Sequence, residues 1–466
     1  MTLQPWLQVV RKSLETSANG HSRRHQQALP HAAELEQLEP RALLAAGALD
    51  STFGGGEQTV AFDRGGSNSD QGQAVVVQSN GKILVAGTVQ RTSSGDQDFG
   101  VTRLNTNGTR DTTFGSNGNV VISFDLGGNL ADRVAGIALQ SDGKIVVVGS
   151  AQASSSTSRF AIARLNSNGT LDTTFSSDGK QTVSFGSNVI ASGVAIQSNG
   201  KIVVAGTTTI GSGGDTDMAV ARLNTNGSLD TTFSGDGLTT VSFDLGGDNT
   251  DRGNAVALQS DGKIVLVGSA QRNSSGDHDM AIARLTTSGI LDSTFDNDGK
   301  RTIAFDLGGS NFDRANAVAI ASGKIVVAGT ATLNSSGDTD FAVARLTSNG
   351  SLDTTFSSDG KQTVAFDRGG NNRDVANAVK VQSDGKIILA GSARTGTTND
   401  DYAVARLSSS GSPDNTFDGD GRRTSGLSGD DAATALAIQS NGRIVIAGFS
   451  NTSGDYDFGI IRLLNS

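Results

Sequence analysis

Residues 229–285 read LDTTFSGDGLTTVSFDLGGDNTDRGNAVALQSDGKIVLVGSAQRNSSGDHDMAIARL, and this stretch decides the fold. LDTTF leads through a Gly/Asp turn to a short alternating run over 238–244 that predicts a strand. The polar loop LGGDNTDRG follows, then a second strand over 254–259. Ser260-Asp261-Gly262 reads as a tight turn, because Asp-Gly between two apolar runs supplies the backbone freedom a short hairpin needs. A third strand over 263–270, the loop QRNSSGDHD and a fourth strand over 280–285 complete the unit, with no helical periodicity in it.

The second and third strands select the architecture. A half-buried strand alternates apolar with polar residues, whereas Ala255-Val256-Ala257-Leu258 and Ile264-Val265-Leu266-Val267 are apolar on both faces. Their sheet must therefore be covered on both sides. The unit recurs seven times: Gly-Lys/Arg-Ile has its Gly at 81, 143, 200, 262, 323, 385 and 442, and Thr-Phe has its Phe at 53, 114, 175, 233, 295, 356 and 417. A stacked β-solenoid or a sandwich is the rival, but solenoids need atypical end repeats, and here the first and last copies keep every anchor. The expectation is an all-β, seven-bladed β-propeller over 47–466, four antiparallel strands per blade, preceded by a mostly disordered segment, 1–46. The repeat phase allows two closures. Either each copy is a whole blade, or its first strand completes the blade before. The second is favoured, because the link between Arg-Leu and Leu-Asp-x-Thr-Phe is short and fixed; it would place residues 58–63 beside the last strand and Asp50 beside Arg462.

The pattern of apolar strand, DGKI turn, VVAGS strand, FAVARL strand, NG and LDTTF resembles the delta-60 repeat, a bacterial family whose members are read as β-propellers. The departures are small: Thr102 for Ala, Pro413 for Leu and Arg443 for Lys. The resemblance implies a fold and no defined chemistry. In the N-terminal segment, Leu38-Glu39-Pro40-Arg41 with Leu43-Leu44 resembles the LEPR-XLL motif of planctomycete surface proteins, which implies export or cell-surface sorting. That segment holds four of the five Glu, three of the four His and none of the 19 Phe, so it has little to bury.

Composition closes several functional classes. The net charge of −10 disfavours nucleic acid, whose phosphates call for a basic face. Cysteine is absent, which removes disulfides, thiolate metal sites and a Cys nucleophile. No stretch is long and apolar enough to cross a bilayer as a helix.

Three constellations recur. The Arg of Arg-Leu stands eight residues before the Asp of Leu-Asp-x-Thr-Phe in Arg103/Asp111, Arg164/Asp172, Arg222/Asp230, Arg284/Asp292, Arg345/Asp353 and Arg406/Asp414, with Asp50 and Arg462 left over at opposite ends. One opposite-charge pair per blade reads as a structural clasp. Asp-x-Asp precedes the fourth strand as Asp96/Asp98, Asp215/Asp217, Asp277/Asp279, Asp338/Asp340 and Asp455/Asp457. Turn-capping aspartates bonded to backbone amides are the favoured reading; paired calcium ligands are the alternative, and calcium is the one cofactor the pattern allows. Finally, Asp63/Asp70, Asp125/Asp132, Asp244/Asp251, Asp306/Asp313 and Asp367/Asp374 flank Gly-Gly loops that are absent from copies three and seven, and these read as solvated loops. His278 reads as exposed and generic.

Together these features point to a non-enzymatic, secreted or cell-surface propeller, monomeric, binding a glycan or a protein. The alternatives are an Asp-based hydrolase or lyase at the propeller mouth and a purely structural surface module. No catalytic residue stands out, because enzymes on propellers place distinct residues on distinct blades and these blades are nearly alike.

Overall fold

The computed structural model describes residues 45–465, except 63–68, 92–94, 128–130, 212, 248, 274–275, 309–311, 335, 368–371, 397–398, 428, 453 and the side chain of Thr452. The expectations for the N-terminal segment, its LEPR-XLL motif included, and for Asp63 lie outside the described residues.

Twenty-eight strands form seven antiparallel four-stranded sheets, with no helix among the described residues. The chain is a seven-bladed β-propeller. In the copy quoted above, the strands are Leu238–Val241, Arg252–Leu258, Ile264–Gln271 and His278–Leu285. The first of these is not in the same blade as the other three: it pairs with the last strand of the preceding copy, Val241 facing Met218. Each blade therefore takes its outermost strand from the next copy. At the seam, Glu57–Val60 completes the last blade alongside Asp455–Leu463, with Val60 facing Phe458 and Glu57 facing Ile461. This closure covers an edge that would otherwise offer free backbone groups. The propeller's contacts reach back to Ala46, which is buried and accepts a hydrogen bond from Asp418 N at 2.8 Å.

The core lies between blades. Each of seven apolar clusters draws on two neighbours; one joins Leu84, Phe99 and Val101 of the first blade to Val134, Ile145 and Val147 of the second. That is why the middle strands are apolar on both faces. Every Phe of Thr-Phe is fully buried, which stabilises each junction by roughly 1.5–3 kcal/mol per ring.

The innermost strand of every blade carries a bulge, at Gln73, Ala135, Ser192, Asn254, Asn316, Asn377 and Thr434. A bulge turns its residue out of the ladder. Several of these residues then reach the next blade: Asn254 Nδ2 donates to Ala315 O at 2.8 Å, Asn316 to Ala376 O at 2.9 Å, Asn377 to Ala433 O at 2.9 Å, and Thr434 Oγ1 to Gly72 O at 2.8 Å. Opposite the bulge stands a Gly that nothing larger can replace. A Cβ at Gly268 would sit 1.7 Å from Arg252 O, and one at Gly391 would sit 1.8 Å from Val375 O.

The seam gives a direct test of the closure. Deleting residues 47–63 is expected to speed amide exchange in 455–463 well before it affects the blade containing Ile264–Gln271. Unchanged exchange in 455–463 would mean that Glu57–Val60 does not hold the last blade.

Candidate functional site

One rim of the propeller carries the Ser-Asp/Asn-Gly turns and the Arg-Leu ends of the fourth strands. Here the seven Arg and Asp residues meet with Nε–Oδ2 distances of 2.6–2.8 Å, Arg462 with Asp50 included. Each guanidinium lies over the Phe of its own Thr-Phe, 4.5–4.9 Å from the ring centroid. Its remaining donors are used as well. In the first blade Nη2 donates to Thr113 Oγ1 at 3.3 Å, and Nη1 crosses to Ser167 O of the second blade at 2.5 Å. The same crossing joins Arg164 to Thr225 O, Arg222 to Thr287 O, Arg284 to Ser348 O, Arg345 to Ser409 O and Arg406 to Asn465 O, and Arg462 returns to Thr106 O at 2.5 Å.

The aspartates have a second cation that spacing alone did not reveal. The Lys of the Gly-Lys-Ile turn reaches the same Oδ2 at 2.6–3.0 Å, from Lys82, Lys144, Lys201, Lys263, Lys324 and Lys386, while Arg443 reaches Asp50 at 2.8 Å. The signal was present, since the turn is basic in all seven copies. It was read only as a turn marker. Burial pushes these carboxyls up. Hydrogen bonds from Lys82, Thr113 and Arg103 outweigh it at Asp111 and hold it well below the usual carboxylate range; Asp172, Asp230, Asp292 and Asp353 behave alike, and Asp414 stands at about 2.

The opposite rim carries the loops, and its aspartates are in the reverse condition. Asp70, Asp132, Asp251, Asp313 and Asp374 are 0–1% exposed, so the reading of these positions as solvated loops is corrected. Each caps the loop it follows: Phe62, Phe124, Phe243, Phe305 and Phe366 donate their backbone N–H to it at 2.5–2.8 Å. In the last blade Asp431 takes the same place, accepting from Leu427 N at 2.6 Å. These loop aspartates are thus amide caps.

The Asp-x-Asp of one blade faces the loop aspartates of the next. Among the described residues four clusters have the full set: Asp96, Asp98, Asp125 and Asp132; Asp215, Asp217, Asp244 and Asp251; Asp277, Asp279, Asp306 and Asp313; Asp338, Asp340, Asp367 and Asp374. In the first, carboxylate oxygens of Asp96, Asp98 and Asp125 all lie within 4.8 Å of one another. Cations are sparse: Arg91 comes to 3.4 Å from Asp98, and Arg272 to 3.5 Å from Asp279. Burial, reinforced by the neighbouring carboxylates, pushes Asp132 and Asp340 up to about 7 and Asp217 to about 6. Asp455 and Asp457 sit at the equivalent place on the last blade, where Asp70 is the described loop partner.

Two further sites stand apart from the charge clusters. The axial channel, about 210 Å³, is lined by the bulge residues and small apolar side chains. Lys380 interrupts it where Ala138, Ala195, Ala257, Ala319 and Ala437 stand in other blades, and the protein around Lys380 thins its hydration and lowers its pKa. On the turn rim, two neighbouring grooves of about 820 and 640 Å³ share a wall at Gln197-Ser198-Asn199. The other walls are Gln140-Ser141-Asp142 and Gln259-Ser260-Asp261. His278 is 9% exposed rather than open to solvent: Nε2 lies 3.2 Å from Thr250 Oγ1, Nδ1 lies 2.8 Å from Gly276 O, and the ring packs on Phe312.

A family described as a domain of unknown function (DUF5122) beta-propeller matches this chain seven times, at 78–114, 140–175, 197–233, 259–295, 320–356, 382–417 and 439–466. No curated protein matches the sequence. Among solved structures, the polysaccharide lyase Uly1 is similar at 12% identity and a TM-score of 0.45, over 84% of this chain and 90% of that one. A PL25 ulvan lyase is similar at 12% and 0.45, over 88% and 96%. Trypanosoma rangeli sialidase is similar at 10% and 0.39, over 85% of this chain and 54% of that one. At that distance no chemistry passes to this chain.

Asp230→Asn leaves the Arg222 guanidinium buried against a neutral partner and is expected to lower unfolding free energy by about 3–5 kcal/mol in urea titration. Because the clasp carboxyls titrate lower in the folded chain, the unfolded chain binds more protons below about pH 4. Their contribution should be intact above that pH and fall away in acid, read as a falling thermal midpoint between about pH 4 and 2, below the range in which the loop-rim aspartates take up protons. In the channel, Lys380→Ala removes a poorly hydrated charge and is expected to raise the thermal midpoint; a fall would mean that Lys380 has a stabilising partner.

Proposed function

We propose that this chain, which belongs to the DUF5122 beta-propeller family, is a non-enzymatic binding scaffold at the cell exterior that holds an extended polar partner, a glycan or a protein strand, across its turn rim. The carrying observation is the pair of adjoining grooves lined by the same amide and hydroxyl side chains, with one wall common to both. A surface that repeats from blade to blade suits a partner that repeats as well, since linked weak contacts multiply in avidity. The near-identity of the blades supports binding over catalysis. Acid–base chemistry needs two groups in different environments, and each carboxylate cluster here has close copies elsewhere on the ring. His278 supports the same reading, with both ring nitrogens within hydrogen-bond reach of neighbours. Placement at the cell exterior rests on the sequence resemblance of Leu38–Leu44 and stands as part of the proposal.

The test is a glycan array probed with the full chain, followed by titration of a polymer that binds and of its shortest repeat. Tight binding of the polymer, weak binding of the short repeat, and loss of binding in Ser198→Trp, which fills the shared wall, are expected. Chain cleavage of the bound polymer, seen as new reducing ends or new ultraviolet absorbance, would establish the enzymatic alternative instead.

A further inference from the structure

We propose that the aspartate clusters on the loop rim are calcium sites, one at each blade junction with the full set of four carboxylates, and that the bound ions lock those junctions. The first support is geometric. Oxygens sharing one Ca²⁺ at 2.3–2.6 Å can lie up to roughly 5 Å apart. The carboxylates of Asp96, Asp98 and Asp125 already meet that limit, at 4.8 Å or less. Asp96, Asp98 and Asp125 belong to one blade and its exit loop, and Asp132 opens the first strand of the next, so an ion that takes all four ties one blade to the next.

The second support is a buried carboxylate with nothing to bond. Asp340 is 6% exposed, its Oδ1 has no hydrogen-bond partner, and it faces Asp338, Asp367 and Asp374. Asp374, Asp132, Asp251 and Asp313 are buried beside these clusters too, although each also accepts backbone hydrogen bonds from the loop it caps. A buried anion without a partner is costly, and the remedies are protonation, a counter-ion or a metal. On the other rim every clasp Asp has two cations. On this rim the cluster around Asp340 has none within ion-pair distance among the described residues.

The third support is how the copies vary. Between the second and third blades the equivalent positions are Thr157, Arg159, Gly186 and Val189, so all four carboxylates are lost together and a basic residue enters. Between the sixth and seventh blades only two of the four are replaced, by Asn399 and Ser428, while Asp401 and Asp431 stay. Gly186 is informative by itself. It has φ +85°, and the aspartates at its equivalents, Asp125, Asp244, Asp306 and Asp367, have φ of +45 to +49°. The loop needs a left-handed residue, Gly supplies one cheaply, and the chain places Asp there only where the other three carboxylates are present.

Calcium fits better than magnesium. It accepts six to eight oxygens in irregular geometry and retains few waters, whereas Mg²⁺ wants a tight octahedron and holds its water. The sites need not be strong, since extracellular modules bind calcium at roughly 10⁻⁴–10⁻³ M.

The full chain, stripped with chelator and returned to constant ionic strength, is titrated with CaCl₂ by calorimetry and by thermal unfolding. At least four ions per chain are expected. A rise in midpoint of about 5 °C or more is also expected, with a much smaller rise in MgCl₂. Asp340→Asn should be at least as stable as the parent without calcium, because like charges are relieved, and should bind one ion fewer. Asp384→Asn, on the opposite rim, should keep the full calcium response. A midpoint that moves no more in CaCl₂ than in NaCl overturns the proposal. So does an Asp340→Asn variant that binds the parent number of ions, or one that loses stability without calcium and keeps the whole calcium increment, the behaviour of a structural cap.

Discussion

A guanidinium buried between two blades is the constraint on which this propeller depends. An Arg in that position must have a carboxylate, and its other donors must also be satisfied, or the junction loses more than it gains. Arg222 meets the requirement with Asp230, Thr232, the face of Phe233 and a carbonyl of the next blade. The cross-blade bond matters most for the architecture, because it makes each blade's charge balance depend on its neighbour. Repeated around the ring, the pattern ends only when Arg462 finds Asp50, 412 residues away, and Thr106 beyond it. Closure is thus an electrostatic requirement as well as a matter of strand pairing.

The two rims show one residue type in opposite circumstances. Clasp aspartates lie between a Lys and an Arg and accept from a Thr, so their anionic form is favoured although they are buried. Loop-rim aspartates are buried among one another and their anionic form is disfavoured. Burial acts in the same direction in both places; the partners decide the outcome. The acidity of the chain is therefore unevenly placed. One rim is locally neutralised, and the other concentrates negative charge at the blade junctions, where it works against the packing that the Phe clusters favour.

Much of this could be read from the residues. The seven anchors, the doubly apolar strands and the eight-residue spacing from Arg to Asp point to blades, to their count and to the pairing at the seam, because these depend on periodicity along one chain. Burial of the loop aspartates could not be read, because it is imposed by the adjacent blade. A Gly-Gly loop flanked by Asp looks solvated in isolation, and only packing shows that Asp132 lies beneath Phe124. Lys82 was missed for a related reason: its partner Asp111 is 29 residues on, across a strand pair. His278 was misjudged because Gln, Thr and Tyr replace it elsewhere, which was taken to mean exposure. The position is in fact half-buried in those copies and buried at His278.

Differences among the blades carry information because the blades are otherwise so alike. A single departure, such as Lys380 where five other blades have Ala and the first has Val76, is a local event. A departure of four positions at once, as between the second and third blades, removes a whole carboxylate cluster from one junction. Between the sixth and seventh blades the set is partial: Asn399 and Ser428 stand for two of the carboxylates while Asp401 and Asp431 remain. The junction without carboxylates can carry Arg159 at no cost: with no acidic pocket to serve, the position behind Phe160 is an ordinary exposed one.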